Sequence, residues 1–231
     1  PGTILLGTQG GLWSSADRGQ HWSLIPTPLA ARQVIAFDFS PDDKNRVYVL
    51  AAQGLFVGDL ATGPWQPLRT TASLETPEHG TVLVEEDADH EEQSPAPELT
   101  ALAVDPQQPS TLYLGTSHGV ERTTDAGASW RPLTSIGLES SQIQRLIVDA
   151  SAPSMVYAAT ARGIASYDGN RDRWQMLTEG LATTRVHDLA ATQHTLWAAT
   201  DHGVYRHELT SATTQHPTAS AQEPTHQFAN E

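Results

Sequence analysis

The sequence predicts an all-β fold, a β-propeller of about five four-stranded blades, and three observations carry that expectation. The first is a repeated cassette: TILLGTQGGLWSSADRGQHWSLI returns as TLYLGTSHGVERTTDAGASWRPL, with weaker copies RVYVLAAQGLFVGDLATGPWQPL, MVYAATARGIASYDGNRDRWQML and TLWAATDHGVYRHEL. The second is its period. The aligned glycines Gly11, Gly54, Gly119, Gly163 and Gly203 recur mostly at about 40–45 residues, the length of one propeller blade. The third is segment character. Each cassette breaks into runs of about four to eight residues rich in β-branched and aromatic types, bounded by Gly, Pro, Asp or Asn, with no amphipathic helix.

Within a cassette the four strands are labelled A to D. Strand A reads VIAFDFSP, LTALAVDP, QRLIVDA and VHDLAAT. Strand B places Tyr48, Tyr113, Tyr157 and Trp197 in one register, as core positions. The glycines mark the B–C hairpin turn, where a left-handed backbone is required. Strand D begins at Trp22, Trp65, Trp130 and Trp174. The first cassette offers only B, C and D and the last only A, B and C. About eighteen strands are therefore expected where five complete blades need about twenty. Because unpaired strand edges invite association, the ring is expected to be completed by the tail or by a partner chain.

Two regions break the period. The D–A connection within residues 70–99 is acidic and rich in Pro and Ser, and no Lys or Arg occurs from Thr70 to Glu121. It reads as a self-repelling loop in which GTVLV adds at most one strand. The tail, residues 210–231, is polar and low in complexity, and TTQHPTAS within it is a candidate exchanged outer strand. The expected organisation is a propeller over residues 1–209 followed by this tail.

Composition narrows the function classes. Net charge is −14, with one lysine among 13 basic residues, which argues against a nucleic-acid partner. There is no cysteine, so disulfides and thiolate metal sites are excluded. No apolar run approaches the ~18 residues of a membrane-spanning helix. Pro1 stands where a start methionine would, and the first strand opens by Thr3, which reads as a processed end. An extracytoplasmic location after removal of a signal is the expectation.

Ser15-Ala16-Asp17-Arg18-Gly19-Gln20-His21-Trp22 and Thr123-Thr124-Asp125-Ala126-Gly127-Ala128-Ser129-Trp130 both spell S/T-x-D-x-G-x-x-W. This signature resembles the Asp-box, or BNR repeat, of β-propellers such as sialidases, sortilin-type receptors, xyloglucanases and the photosystem II assembly factor. Two further copies are degenerate: Ser166-Tyr167-Asp168 reaches Trp174 one residue late, and the copy ending at Trp65 lacks the Ser/Asp pair. The resemblance implies a turn clamp. The hydroxyl and carboxylate accept backbone N–H groups, Gly takes the left-handed position, and Trp packs on a blade. Asp17 and Asp125 are thus structural, and no catalytic residue is expected.

Strand parity places the A–B and C–D turns on one face of the disc and the B–C turns and D–A connections on the other. Gln53, His118, Arg162 and His202, each preceding a turn glycine, share that second face with the acidic insert. They are the candidate binding residues.

Enzyme classes fare poorly. A sialidase needs an arginine cluster and a tyrosine nucleophile, yet three of five tyrosines sit at the strand B core position, and no Arg-Ile-Pro segment is present. A glycosidase needs two facing carboxylates, whereas Asp38, Asp105 and Asp149 read as a recurring strand A terminus. The acidic EEDADHEE lacks the spacing of a calcium loop, and His118 with His202 is too few for zinc. Neither metal nor cofactor is expected. What remains is a non-catalytic scaffold that binds protein subunits of a larger assembly. The alternative is a glycan-binding module or degenerate glycosidase relative, for which Trp13, Phe56 and Tyr205 offer one aromatic register.

Overall fold

The computed structural model describes residues 2–26, 32–61, 63–70, 97–152, 155–177, 185–192 and 195–209. Strands β1 (Ile4–Thr8), β2 (Gly11–Ser15) and β3 (Ser23–Leu24) form the first sheet. The second comprises β4 (Val34–Phe39), β5 (Arg46–Ala51), β6 (Gly54–Asp59) and β7 (Trp65–Thr70). The third comprises β8 (Leu99–Val104), β9 (Leu112–Thr116), β10 (Gly119–Thr123) and β11 (Arg131–Pro132). The fourth comprises β12 (Ile143–Val148), β13 (Met155–Thr160), β14 (Gly163–Asp168) and β15 (Arg173–Leu177). The fifth comprises β16 (Val186–Ala191), β17 (Thr195–Thr200) and β18 (Gly203–Glu208).

Every sheet is an antiparallel meander in chain order, no helix occurs among the described residues, and the five sheets stand as blades of a β-propeller. Among the described residues the first blade has strands B to D and the last A to C. The insert residues 71–96, including GTVLV, and the tail 210–231, including TTQHPTAS, lie outside the described residues. Thr70 closes β7 and Leu99 opens β8.

The core is built between blades. Side chains alternate along a strand, so one strand feeds two interfaces. On β5, Val47, Val49 and Ala51 pack with Leu12 against the first sheet, while Tyr48 and Leu50 pack with Leu55 against Leu102, Leu112 and Leu114 of the third. The same alternation builds the next two cores. Tyr113 and Val120 meet Leu146, Val156 and Trp174, and Tyr157 and Ile164 meet Val186, Leu189 and Leu196. Strands buried on both faces read as continuous apolar runs, which is why RVYVLA and MVYAAT carry no polar alternation.

Two sequence readings need correcting. Asp38 is not the counterpart of Asp105 and Asp149. Opposite β5, Asp38 faces Tyr48, whereas Tyr113 and Tyr157 face Ala103 and Ile147, two residues before those aspartates. Ser40 holds the equivalent turn position, bonding Asp42. Asp38 instead bridges blades by accepting the Val104 amide at 2.9 Å, and burial raises its pKa against that contact. Trp197 has the expected strand B register but is exposed, because among the described residues no blade follows it.

Candidate functional site: signature turns and the B–C face

The signature turns are closed hydrogen-bond circuits. Ser15 Oγ donates to Asp17 Oδ1 (2.8 Å) and accepts the Gly19 amide (2.8 Å), and Asp17 Oδ1 accepts the His21 amide (2.9 Å). Thr123 Oγ1 likewise donates to Asp125 Oδ1 (2.6 Å) and accepts the Gly127 amide (3.0 Å). Ser129 completes that turn through its amide (2.8 Å) and hydroxyl (2.6 Å) on the two Asp125 oxygens. Trp22 Nε1 donates to the Gly19 carbonyl at 3.1 Å. The tight corner uses two successive left-handed residues, Arg18–Gly19 and Ala126–Gly127, with φ of 64°, 89°, 58° and 98°. Sequence reasoning credited only the glycine. In the degenerate copy the circuit dissolves: Ser166 bonds the Gln175 carbonyl, and Asp168 serves Asn170 and Arg171.

These contacts favour the ionised carboxylates. Asp17 falls to about 2, first through the His21 amide, then the His21 ring and the Ser15 hydroxyl. Asp125 falls to about 2 through the Ser129 and Thr123 hydroxyls and the Ser129 amide. A folded pKa below the unfolded one adds stability above about pH 4, and that stability is lost as the pH falls towards about 2. The melting temperature of a D17N/D125N variant should therefore lie below wild type near neutrality, with the gap closing in acid. Parallel melting curves from about pH 6 to about pH 2 check it. A gap that stays constant rejects the role of charge.

On the opposite face four of the five B–C turns repeat one construction. The Thr8, Thr116, Thr160 and Thr200 hydroxyls donate to the Gly11, Gly119, Gly163 and Gly203 carbonyls at 2.9–3.1 Å. The same oxygens accept the amides of Gly10, His118, Arg162 and His202 at 3.0–3.1 Å. The T-x-x-G spacing was visible in the sequence and went unread; only the second blade, with Ala51, departs from it. At Gly54 a side chain is impossible without moving backbone: φ is 148°, and a Cβ would stand 2.1 Å from the Arg69 carbonyl. His118, Arg162 and His202 are exposed and Gln53 is half-buried, each fixed at its amide or turn while its head varies.

The inner strands add a second element at this rim. Where β4, β8, β12 and β16 leave the B–C end, each carries a register shift with one surplus residue, Ile35, Thr100, Gln144 and His187 respectively. Such bulges re-aim side chains at barrel rims and binding sites. In the fifth blade the surplus His187 reaches the B–C turn, its Nε2 lying 2.5 Å from Asp201 Oδ1. That contact lowers the Asp201 pKa. Arg145, next to Gln144, approaches Asp188 of the fifth blade at 3.4 Å.

Trp13, Phe56 and Tyr205 do not form an aromatic cluster. Phe56 packs into the first interface and Tyr205 into the fourth, because strand C residues at this register face the preceding blade. Two clefts open at the signature-turn end among the described residues. One of about 680 Å³ between the first two sheets is lined by Ser14, Ile25, Phe39, Ser40, Lys44 and Leu60. One of about 280 Å³ between the third and fourth sheets is lined by Gln108, Thr111, Tyr113, Arg122, Thr124 and Gly169. No three His, Cys, Asp or Glu among the described residues gather as a metal site would require. No described helix is long and apolar enough to cross a membrane.

No family profile matches the chain, and no curated protein matches it. Solved structures do. A GH74 enzyme of Niastella koreensis shares 17% identity at a TM-score of 0.62, covering 87% of this chain and 33% of its own. A chain of a nidogen/laminin complex shares 16% identity at a TM-score of 0.62, covering 89% and 73%. YCF48 bound to a D1 peptide shares 15% identity at a TM-score of 0.62, covering 90% and 62%. The extracellular domain of a hybrid two component system from B. thetaiotaomicron, at 17% identity and a TM-score of 0.60, is covered over only 26% of its length. The chain thus spans between a quarter and three quarters of the structures it resembles, and these likenesses place it in the β-propeller fold.

Proposed function

We propose that this chain is a non-catalytic Asp-box propeller, outside the cytoplasm, that holds protein subunits together in a larger assembly. The observation that carries the reading is the B–C face. Four turns share one threonine-and-glycine frame, yet Gly10, His118, Arg162 and His202 ride on it as different heads. A fixed frame with varied, exposed heads suits recognition of a polypeptide surface, where order is prepaid and specificity lies in the side chains.

The carboxylates support a structural role. General acids in glycoside cleavage need a raised pKa, whereas Asp17 and Asp125 are held near 2 and spend their oxygens on their own turns. Two structural neighbours are recorded with protein partners, a laminin and a D1 peptide, and another is an extracellular domain. Both support the assignment of partner class and location.

The test is affinity capture from the native source with wild type and an H118A/R162A/H202A variant. The expected result is a stoichiometric protein partner that the variant loses at unchanged melting temperature. Equal capture by both proteins rejects the B–C face. Selective retention on a glycan array, or release of sugar from a polysaccharide, establishes the glycan-binding or glycosidase alternative instead.

A further inference from the structure

The third blade breaks the repeat along one row of its sheet. Three residues after the B–C glycine, the first four blades carry Ser14, Val57, Arg122 and Ser166. Directly across on strand D stand Ser23, Gln66, Arg131 and Gln175. Three blades thus make this row with uncharged pairs, so the joint needs no charge there. The third sets two arginines face to face, and like charges directly opposite in an antiparallel pair are destabilising. Among the described residues every ion pair is made by other groups, so neither arginine has a carboxylate partner.

Arg122 is half-buried and lines the cleft of about 280 Å³ between the third and fourth sheets. Its counterpart Ser14 lines the cleft between the first two, so this position opens to solvent in both joints. Around Arg122 stand the hydroxyls of Thr111, Tyr113 and Thr124 and the amides of Gln108 and Asn170. Burial raises the Tyr113 and Tyr167 pKa values and the Arg122 charge opposes both rises, so the guanidinium lies near both hydroxyls. The nearby acids are engaged elsewhere: Asp172 accepts the Tyr167 hydroxyl at 2.7 Å, and Asp168 pairs with Arg171 at 3.0 Å. We infer that this cleft binds a carboxylate, held between Arg122 and Arg131 with the threonine and tyrosine hydroxyls around it. A bridging anion turns the arginine repulsion into attraction, and the planar guanidinium fork matches two carboxylate oxygens. Asp105 beside Tyr113 and Asp172 beside Tyr167 disfavour a doubly charged tetrahedral anion in the same place. The site lies on the face opposite the B–C heads and is independent of the partner assigned there.

Titrating the full chain with sodium acetate and with a capped Gly-Glu-Gly peptide, at constant ionic strength, tests it through the arginine Nε–H signals in NMR spectra. The Arg122 and Arg131 signals should shift together and saturate at about millimolar probe. R122Q and R131Q should each weaken binding at least about tenfold, the usual loss of a charge-assisted hydrogen bond. Arg131 is exposed, and R131Q should keep or raise the melting temperature without probe, which separates lost binding from lost folding. R18Q, which removes the same charge from the first blade, should leave binding unchanged. Tighter binding of the peptide than of acetate assigns the carboxylate to a polypeptide, and equal binding assigns it to a free acid. Signals that do not move overturn the inference, as does binding that R131Q leaves intact. An R18Q effect as large as that of R131Q overturns it in favour of bulk charge, and tighter binding of inorganic phosphate overturns the carboxylate assignment.

Discussion

Trp174→Ala should destabilise the propeller by about 3–5 kcal/mol, the usual loss for deleting a large buried aromatic side chain. The indole is 1% exposed and stands in the joint between the third and fourth blades. Its ring centroid lies 5.1 Å from that of Tyr167, and its Nε1 donates to the Thr134 carbonyl at 2.9 Å. Truncation therefore opens a cavity, breaks an aromatic pair and orphans a carbonyl together. For a chain of this size, each kcal/mol moves the melting temperature by about 2–4 °C, so a drop of roughly 10 °C is expected by calorimetry. Trp22 holds the corresponding place in the first blade but is 36% exposed, and Trp22→Ala should cost markedly less. Equal losses for the two would show that the joint is not what Trp174 supports.

The second large effect lies one joint earlier. Arg69 of β7 forks onto Glu121 of β10, with Nη1 on Oε2 and Nη2 at 3.2 Å from Oε1, and lies 5.4 Å over the Trp130 ring. Both side chains are mostly buried. Glu121→Ala leaves the mostly buried guanidinium without its counter-ion and should cost about 3 kcal/mol. Replacing both partners, as R69M/E121L, should recover most of that, because an apolar pair avoids the desolvation penalty. Denaturant melts of the single and double variants decide it. A Glu121→Ala loss under about 1 kcal/mol would mean that Trp130 and solvent already satisfy the arginine.

That ion pair also marks where the sequence stops being legible. The recurring glycines and tryptophans declare the blades, because each blade must solve the same turn and packing problem locally. The strand limits followed from the same cue, down to strands B to D in the first blade and A to C in the last among the described residues. Arg69 and Glu121 are 52 residues apart and belong to different repeats, so no local pattern joins them. Trp197 shows a second limit: its register was readable, but its burial depends on the blade beyond. Asp38 misled because a carboxylate near the end of strand A looks alike at two neighbouring positions, and only pairing with β5 separates them. The B–C frame was legible in T-x-x-G and missed. The surplus residues at Ile35, Thr100, Gln144 and His187 share no side-chain type, so nothing in the letters announced them.

Those four positions have a consequence for how the molecule can change. Each stands outside the in-out alternation that commits its neighbours to one joint or the other. Exchanging such a residue leaves the pairing of its neighbours in register. The B–C rim thus holds four positions at which selection can rewrite what the protein contacts while the strand pairing beneath keeps its register.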